Sequence, residues 1–188
     1  MKYILRVINI CLVVLTLVFS SITSAIELPP KDVYAGHKLI GDWDVEAAEQ
    51  FTDSLLKKHP KSGDVYFLKA RVEFLKGNHE LAAKILNQVT GNHREVREFK
   101  NLVNNTYEET KLFTTSESKH FIYRYKKGPD EILVHYATEV LEKSYKTLGE
   151  IFNYYPKEKV LVEFYPDRES FSRISPLTLD NITTSGTV

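Results

Sequence analysis

The sequence of 188 residues contains a single cysteine, Cys11, which lies in an apolar run near the start of the chain. Beyond that run there is no thiol, which excludes disulfide bonds and thiolate zinc sites there. Cysteine usage therefore neither supports nor opposes export. The sequence also lacks a glycine-rich phosphate loop and a Gly-x-Ser-x-Gly elbow. Dinucleotide chemistry and serine hydrolase chemistry therefore have no starting point in these residues.

Neither sign of charge is in excess, since 25 Lys and Arg residues balance 25 Asp and Glu residues. Proteins that bind nucleic acid carry a basic surface, and we therefore expect no nucleic-acid partner. One segment, residues 123–127 (Tyr-Arg-Tyr-Lys-Lys), mixes basic and aromatic residues as single-strand binders do. A strand at the edge of a sheet with outward charges has the same pattern. The neutral overall charge favours this second interpretation.

The first 25 residues have the order of a secretory signal peptide. Lys2 and Arg6 precede an uncharged apolar run over residues 7–19, and small residues follow up to Ala25. Thr23 and Ala25 fit the small positions that a signal peptidase requires. We therefore expect cleavage after Ala25. The alternative is an uncleaved membrane anchor, but the apolar run is shorter than the roughly 20 residues that span a bilayer. We expect the mature chain to be periplasmic or extracellular and to have no stable membrane span.

Two similar segments follow, each with a turn and then the start of a helix. They begin at Gly41 and Gly77, a spacing of 36 residues, and apolar positions with helical spacing flank both. The residues from Pro60 to Gly63 break the helix between the two copies. Helix, turn and helix at a period in the mid-thirties is typical of stacked repeats. A further apolar face, from Val96 to Tyr107, predicts a helix that covers the open end, so that helical repeats occupy residues 26–110.

From Phe113 the pattern changes to that of a strand, a long helix and a second strand. Residues 120–125 alternate so that Phe121, Tyr123 and Tyr125 share one face, and residues 159–165 form the second strand. The connecting helix has its apolar residues at helical spacing. They are Leu133, Tyr136, Ala137, Val140, Leu141, Leu148, Ile151 and Phe152. The long crossover predicts a parallel pair of strands.

In the second strand we expect Val160, Val162 and Phe164 to point inward, and Asp167 to cap a short helix after it. The fold class predicted for the whole chain is therefore α-helical repeat hairpins followed by an incomplete α+β (β-α-β) segment.

Two histidine patterns could carry metal or acid-base chemistry. His79 and Glu80 begin like the zinc motif HExxH, but Ala83 stands where the second histidine would be. His135 and Glu139 lie four residues apart on the long helix, a spacing that arises often by chance on amphipathic helices. We assign no catalytic residue and no metal ligand to this chain.

The helical hairpins resemble the tetratricopeptide repeat. Ala70, Gly77 and Ala82 fall on the small positions of that repeat, and Tyr66 on its leading aromatic position. The resemblance implies a groove that binds a protein or peptide partner. Phe67 and Arg71, on the first helix of the second copy, would be the partner-binding residues. Ordinary packing of Phe67 and a solvated charge at Arg71 remain equally open as interpretations.

Residues 113–188 resemble the beginning of a peptidase MA-like domain of the gluzincin type, which follows tetratricopeptide repeats in bacterial proteins. The resemblance is carried by residues 120–125, 139–149, 162–171 and 183–188. Its most specific part is the run from Tyr165 to Phe171 together with the threonine-rich residues 183–188. It implies that the chain is the N-terminal fragment of an exported zinc-metallopeptidase-like protein whose HExxH motif lies further along. Zinc is then expected only in the full-length parent, and this chain is expected to be inactive. The alternative is a non-enzymatic exported scaffold of tetratricopeptide type.

Overall fold

The computed structural model describes residues 30–91, 93–128 and 131–175. The predicted signal peptide, residues 1–25, and the threonine-rich residues 183–188 lie outside the described residues. The first part consists of the helices α1 (Pro30–Gly41), α2 (Val45–Lys58), α3 (Gly63–Leu75), α4 (His79–Leu86) and α5 (Arg94–Thr110). The second part consists of β1 (Thr114–Glu117), β2 (Phe121–Tyr125), α6 (Glu131–Phe152), β3 (Val160–Phe164) and α7 (Arg168–Ile174). Helical hairpins followed by an α+β segment confirm the predicted fold class. None of the described helices is long and apolar enough to cross a membrane.

The turns of the two helical hairpins, α1–α2 and α3–α4, lie 34 residues apart. Trp43 (φ 59°) and Gly77 (φ 76°) hold the same left-handed position, and in both copies the next helix begins two residues later. The predicted spacing of 36 is therefore wrong, because Gly41 is the last residue of α1 and not the turn residue. With the spacing of 34, Ala48 and Ala82 become equivalent, and both are fully buried. A small side chain there allows close helix packing.

The apolar side chains of the repeats form two clusters with α3 between them. One face of α3, including Leu68, packs with residues of α1 and α2. Another face, including Phe67, packs with residues of α4 and α5. A helix that is apolar on several sides is expected in the middle of a stack. Val96 and Val103 of α5 are buried in the second cluster, which confirms that this helix covers the end of the hairpins.

The sheet has the order β1-β2-β3. β2 and β3 pair in parallel, as predicted, with Tyr123 opposite Val162. β1 was not predicted from the sequence; it pairs antiparallel with β2 and places Thr114 opposite Tyr125. Within the described residues β2 is therefore the middle strand, and the interpretation of residues 123–127 as an edge strand is wrong. Tyr123 is buried, with an exposed fraction of 1%.

The sheet lies between α6 and the repeats. Phe121 and Tyr123 form a small core with Val134 of α6, and Val162 and Phe164 pack against it. The other face of the sheet reaches the turn between α3 and α4, where the Arg124 guanidinium donates a hydrogen bond to the carbonyl of Gly77. A Cβ atom at Gly77 would lie 2.1 Å from a Leu161 methyl group, so Leu161 would have to move if Gly77 carried a side chain.

The prediction that Val160 points inward is wrong. Val160 is exposed at the start of β3. In α6 the buried residues are Val134 and Gly149, which were outside the predicted apolar set. Six members of that set have exposed fractions between 50% and 71%: Leu133, Tyr136, Val140, Leu148, Ile151 and Phe152. The helix is apolar on two sides, and the side that contains Val134 packs on the sheet.

Asp167 caps α7 as predicted, because its carboxylate accepts a hydrogen bond from the Ser170 amide at 2.7 Å. The helix then packs against α5, where the Asn105 side-chain amide donates to the carbonyl of Arg173 at 3.2 Å. α7 is thereby held on the repeats, near the C-terminal part of α5.

Candidate functional site

A cleft of about 630 Å³ opens between α3 and α5, and we call it the groove. Its apolar lining residues are Ile40, Phe67, Phe74, Leu75, Phe99 and Leu102. Its polar lining residues are Arg71, Glu95, Glu98, Asn105, Arg173 and Ser175. The groove therefore combines an apolar floor with charged groups, which is the usual composition of a site that binds a peptide or small molecule.

Three phenylalanines form the floor of the groove. Phe99 of α5 packs edge-on against Phe67 and against Phe74, with ring centroids 5.5 Å apart in both pairs. Phe67 and Phe74 lie seven residues apart on α3 and therefore share one face of that helix. Edge-to-face pairs of this kind are worth about 0.5–1.5 kcal/mol beyond their buried area. The floor is thus a fixed surface rather than a set of loose side chains.

The predicted partner-binding residues Phe67 and Arg71 both line the groove. Phe67 is largely buried, with an exposed fraction of 6%. The Arg71 guanidinium contacts Nδ1 of His37 and lies 3.9 Å from the Glu95 carboxylate. Burial and the positive charge of Arg71 lower the pKa of His37, so that the neutral imidazole can accept the hydrogen bond. Whether Phe67 and Arg71 bind a partner stays a prediction.

The opposite end of the groove is formed by α5 and α7. The Arg173 side chain donates to the Glu109 carboxylate at 2.5 Å, and this hydrogen bond raises the pKa of Arg173. Ser175, the residue after α7, also lines the groove. This end was not predicted from the sequence, because Arg173 and Glu109 are 64 positions apart and no local pattern links the two helices.

A second cluster joins Ser118 and His120, in the turn between β1 and β2, to Glu142 on α6. The Ser118 hydroxyl donates to one carboxylate oxygen at 2.6 Å, and Nδ1 of His120 lies 2.5 Å from the other. In a nucleophilic triad the imidazole stands between the hydroxyl and the carboxylate. Here both groups bind the carboxylate directly, so the cluster fastens the turn to the helix and does not activate Ser118.

This cluster should make the free energy of unfolding depend on pH in the acidic range. The hydrogen bond from Ser118, followed by those from His120, lowers the pKa of Glu142 from 4.5 to about 2. A carboxyl whose pKa is lower in the folded state stabilises the fold above its unfolded pKa, and this contribution is lost as the pH falls from about 4.5 towards 2.

We therefore expect Glu142→Gln to lose less stability than the wild type between pH 6 and pH 3. Denaturant unfolding at both pH values measures the difference. Glu139→Gln, at an exposed position of the same helix, should behave like the wild type; equal acid losses for all three chains would contradict the prediction.

A third cluster joins the repeats to the sheet around Glu163. Nε2 of His79 lies 2.9 Å from one oxygen of this carboxylate, and the Tyr165 hydroxyl donates to the other at 2.8 Å. Burial opposes the ionisation of Glu163, but the hydrogen bonds and the nearby positive charge of Arg124 outweigh it and lower the pKa of Glu163. Burial and the charge of Glu163 raise the pKa of Tyr165. His79, the start of the incomplete HExxH pattern, therefore belongs to a buried hydrogen-bond cluster that joins α4 to β3.

No group of three or more His, Cys, Asp or Glu side chains that could hold a metal ion occurs in residues 30–91, 93–128 and 131–175. His135 and Glu139 are both exposed on α6. The zinc that the sequence analysis assigned to a longer parent protein stays a prediction.

Comparison with known proteins agrees with the helical architecture. A family model described as Iml2/Tetratricopeptide repeat protein 39 matches residues 6–125, almost two thirds of the chain. The matched region includes α1 to α5, β1 and β2, and it ends at the last residue of β2. Neither the curated proteins nor the solved structures contain a match to the chain.

Proposed function

The chain belongs to the Iml2/Tetratricopeptide repeat protein 39 family, and from this premise we propose that its groove binds an extended, largely apolar segment of a partner protein. Repeats of the tetratricopeptide type serve as scaffolds for protein interaction, and stacked helical repeats present extended concave surfaces for this purpose. The observation that carries the proposal is the phenylalanine floor of the groove between α3 and α5. Phe67 supports it as part of this floor, and Arg71 as a charged group at one end.

The dimensions of the groove indicate the size of the bound segment. Its lining residues on α5 extend from Glu95 to Asn105, which corresponds to about 15 Å at 1.5 Å per helical residue. An extended chain covers this length with about five residues at 3.3 Å each. Apolar side chains of the segment would contact Phe99 and Leu102. Its charged side chains would lie near Arg71 or Arg173 at the two ends.

Selection of peptides tests this proposal without knowledge of the natural partner. A displayed library of random twelve-residue peptides is selected on the full chain, and the affinity of the enriched peptides is measured by fluorescence anisotropy. We expect peptides with two or more apolar residues, and we expect Leu102→Lys to weaken their binding at least tenfold, because a charge would enter the apolar floor.

Leu112→Lys is the matched control, since Leu112 is exposed and does not line the groove. It should change the affinity less than twofold. Failure to enrich any peptide, or equal binding to the Leu102→Lys and Leu112→Lys chains, would overturn the proposed function.

We also propose that the protein is exported, with residues 1–25 removed as a signal peptide. The charges at Lys2 and Arg6, the apolar run and the small residues up to Ala25 support this proposal. Cell fractionation and N-terminal sequencing should find the mature chain outside the cytoplasm with Ile26 as its first residue. Recovery of the intact chain, with Met1, in the cytosol would refute it.

We further propose that the parent protein is a zinc-metallopeptidase-like protein whose repeats position a substrate or partner. The resemblance of residues 113–188 to the beginning of a peptidase MA-like domain supports this proposal. The exposed apolar side of α6 also supports it, because additional residues of a longer parent protein would cover that side. Reading the coding sequence beyond Val188 tests it: an HExxH motif within about a hundred residues is expected, because catalytic zinc needs three protein ligands. Absence of such a motif would favour the non-enzymatic scaffold.

A further inference from the structure

A second cleft, of about 510 Å³, opens where the start of α4 and the end of α5 meet β1 and β2, and we call it the polar cleft. Among the described residues it shares no lining residue with the groove. Three cationic side chains line it, those of Lys84, Lys111 and Arg124. The only carboxylate among its described lining residues is that of Glu80. This excess of positive charge favours an anionic ligand.

The two lysines of the polar cleft are held only weakly by carboxylates of the chain. Lys84 pairs with Glu80 at 2.6 Å, and Lys111 pairs with Glu108. All four side chains are exposed to solvent. Ion pairs at the surface contribute little to stability, so both ammonium groups can turn towards a bound anion.

Arg124 is the most firmly placed of the three cations. Its guanidinium donates to the carbonyl of Gly77 at 2.5 Å and lies 3.5 Å from the Glu163 carboxylate. A guanidinium has five N–H donors, so these two contacts leave donors for an oxyanion. Thr115 lies directly opposite Arg124 in the pairing of β1 with β2. Its hydroxyl therefore stands on the same face of the sheet as the guanidinium.

The start of α4 adds backbone donors to the polar cleft. The first amides of a helix have no partner within the helix. Asn78, the residue before α4, does not cap them, because its side-chain amide donates to Glu73 at 2.7 Å instead. The amides at the start of α4 and the positive end of the helix dipole therefore face the same cleft as Arg124 and favour a negative charge there.

A buried nitrogen of His79 identifies the second requirement for a ligand. The side chain is 7% exposed and lines the polar cleft, and its Nδ1 atom forms no hydrogen bond with any described residue. Nε2 lies 2.9 Å from the Glu163 carboxylate, which only accepts, so Nε2 carries the hydrogen of the neutral ring. Nδ1 is then an acceptor. Because buried polar atoms are normally paired, we expect a ligand that brings a hydrogen-bond donor to Nδ1.

We propose that the polar cleft binds the phosphate group of a small phosphomonoester. In its monoprotonated form this group has two anionic oxygens and one hydroxyl, and because its second pKa is about 6, this form is present near neutral pH. The anionic oxygens would accept hydrogen bonds from the start of α4, from Arg124 and from Lys111. The hydroxyl would donate to Nδ1 of His79. A sulfate group has the same tetrahedral shape but no hydroxyl, so it meets only the first requirement.

The rest of the lining favours an ester over free phosphate. Leu81 and Tyr107 line the polar cleft beside its charged groups, and Leu81 is exposed. Their carbon surfaces offer contacts to an organic group on the phosphate, which free phosphate cannot use. The proposed ligand is therefore an organic molecule of small size with one terminal phosphate.

Isothermal titration calorimetry of the full chain tests this inference at pH 6 and constant ionic strength. The probes are phenyl phosphate, phenyl sulfate and inorganic phosphate. Phenyl sulfate is the matched control, because it has the same organic group and the same charge as monoprotonated phenyl phosphate and lacks only the hydroxyl. We expect one phenyl phosphate per chain and at least about tenfold weaker binding of phenyl sulfate, since Nδ1 of His79 would stay unpaired. Inorganic phosphate should bind about threefold more weakly than phenyl phosphate.

Two results of the titration would overturn the inference. Affinities for phenyl sulfate and phenyl phosphate within twofold of each other would show a general attraction of anions. Absence of phenyl phosphate binding at millimolar concentration would show that the cleft is no phosphate site. Inorganic phosphate that binds more tightly than phenyl phosphate would overturn the assignment of an ester.

Nuclear magnetic resonance of the chain labelled with ¹⁵N-histidine locates the bound phosphate without a substitution in the cluster around Glu163. Phenyl phosphate should shift the Nδ1 resonance of His79 and leave that of His135 unchanged, because His135 is exposed on α6. Equal shifts of both histidines, or binding without a shift at His79, would contradict the proposed site.

A pair of lysine variants adds a readout by affinity. Lys111→Gln should weaken the binding of phenyl phosphate about fivefold, because it removes one charge-assisted hydrogen bond. Lys57→Gln, at an exposed position of α2, should change the affinity less than twofold. Equal affinities of the two variants would contradict the role of Lys111. Because the polar cleft and the groove have different lining residues, neither result affects the proposed binding of a peptide.

Discussion

Replacing Glu163 with leucine is expected to lower the free energy of unfolding by about 3 kcal/mol. The substitution removes the carboxylate that accepts hydrogen bonds from His79 and Tyr165 and that lies 3.5 Å from the Arg124 guanidinium. Donors that remain buried without an acceptor have lost their hydrogen bonds to water and form none within the protein, which destabilises the fold. Removal of one partner from a buried charged cluster typically costs about 3–5 kcal/mol, and we take the lower end because Arg124 keeps its hydrogen bond to Gly77.

Denaturant unfolding of the full chain measures this loss, and two variants serve as controls. Glu163→Gln keeps one acceptor oxygen and the size of the side chain, so it should lose less than the leucine variant. Glu158→Leu, at an exposed position, should stay within about 0.5 kcal/mol of the wild type. An unchanged unfolding midpoint for Glu163→Leu would show that the cluster around Glu163, which joins the repeats to the sheet, contributes nothing to stability.

Hydrogen exchange adds a readout that locates the effect. Because Glu163 joins β3 to the start of α4, its loss should increase amide exchange in β2 and β3 more than in α1 and α2. A uniform increase across all helices would instead indicate that the substitution destabilises the whole chain without separating its two parts.

Periodicity predicted most helices and the two longer strands because each carries a repeating apolar face. β1 was missed since its four residues, Thr-Thr-Ser-Glu, have no such face. The repeat spacing was wrong because glycine was taken as the marker of the turn. In the first hairpin the left-handed residue is Trp43, a residue type that rarely adopts this conformation. The equivalence of Trp43 and Gly77 could therefore not be recognised from the residue types.

α6 shows a different limit of periodicity. The helix has apolar residues on two sides, and the spacing alone could not decide which of them would pack on the sheet. Contact with Phe121 and Tyr123 selected the side of Val134, while Tyr136 and Val140 remained exposed. The deciding factor is the shape of the sheet, which is a property of the tertiary structure.

The groove could be predicted only in part. Resemblance to a repeat indicated Phe67 and Arg71, because a repeat assigns roles to positions within its first helix. Phe99 was predicted as part of a covering helix but not as part of a binding surface. Arg173 could not be predicted, since its place depends on the packing of α7 against Asn105. In the same way the pairing of His79 with Glu163 joins residues 84 positions apart, which no local pattern connects.

Replacing Ala82 with tryptophan is the strongest test of the helical hairpins. Ala82 is fully buried in α4 and belongs to the core cluster that α4 forms with α3 and α5. Insertion of a large ring into a packed site forces neighbouring side chains and helices apart, and it typically costs about 1–3 kcal/mol or more. Because tryptophan is the largest possible change, we expect about 3 kcal/mol. For a chain of this size that corresponds to a melting temperature lower by roughly 6–12 °C.

Variants at neighbouring and equivalent positions make the test of Ala82 specific. Leu81→Trp, at the exposed position beside it, should change the melting temperature of the full chain little. The 34-residue equivalence of the hairpins predicts a loss for Ala48→Trp similar to that for Ala82→Trp. Ala47→Trp should cost less, because Ala47 is only partly buried. A full chain with Ala82→Trp that melts at the wild-type temperature would mean that α3 and α4 do not pack as a hairpin, and a larger loss at Ala47 than at Ala48 would contradict the 34-residue equivalence.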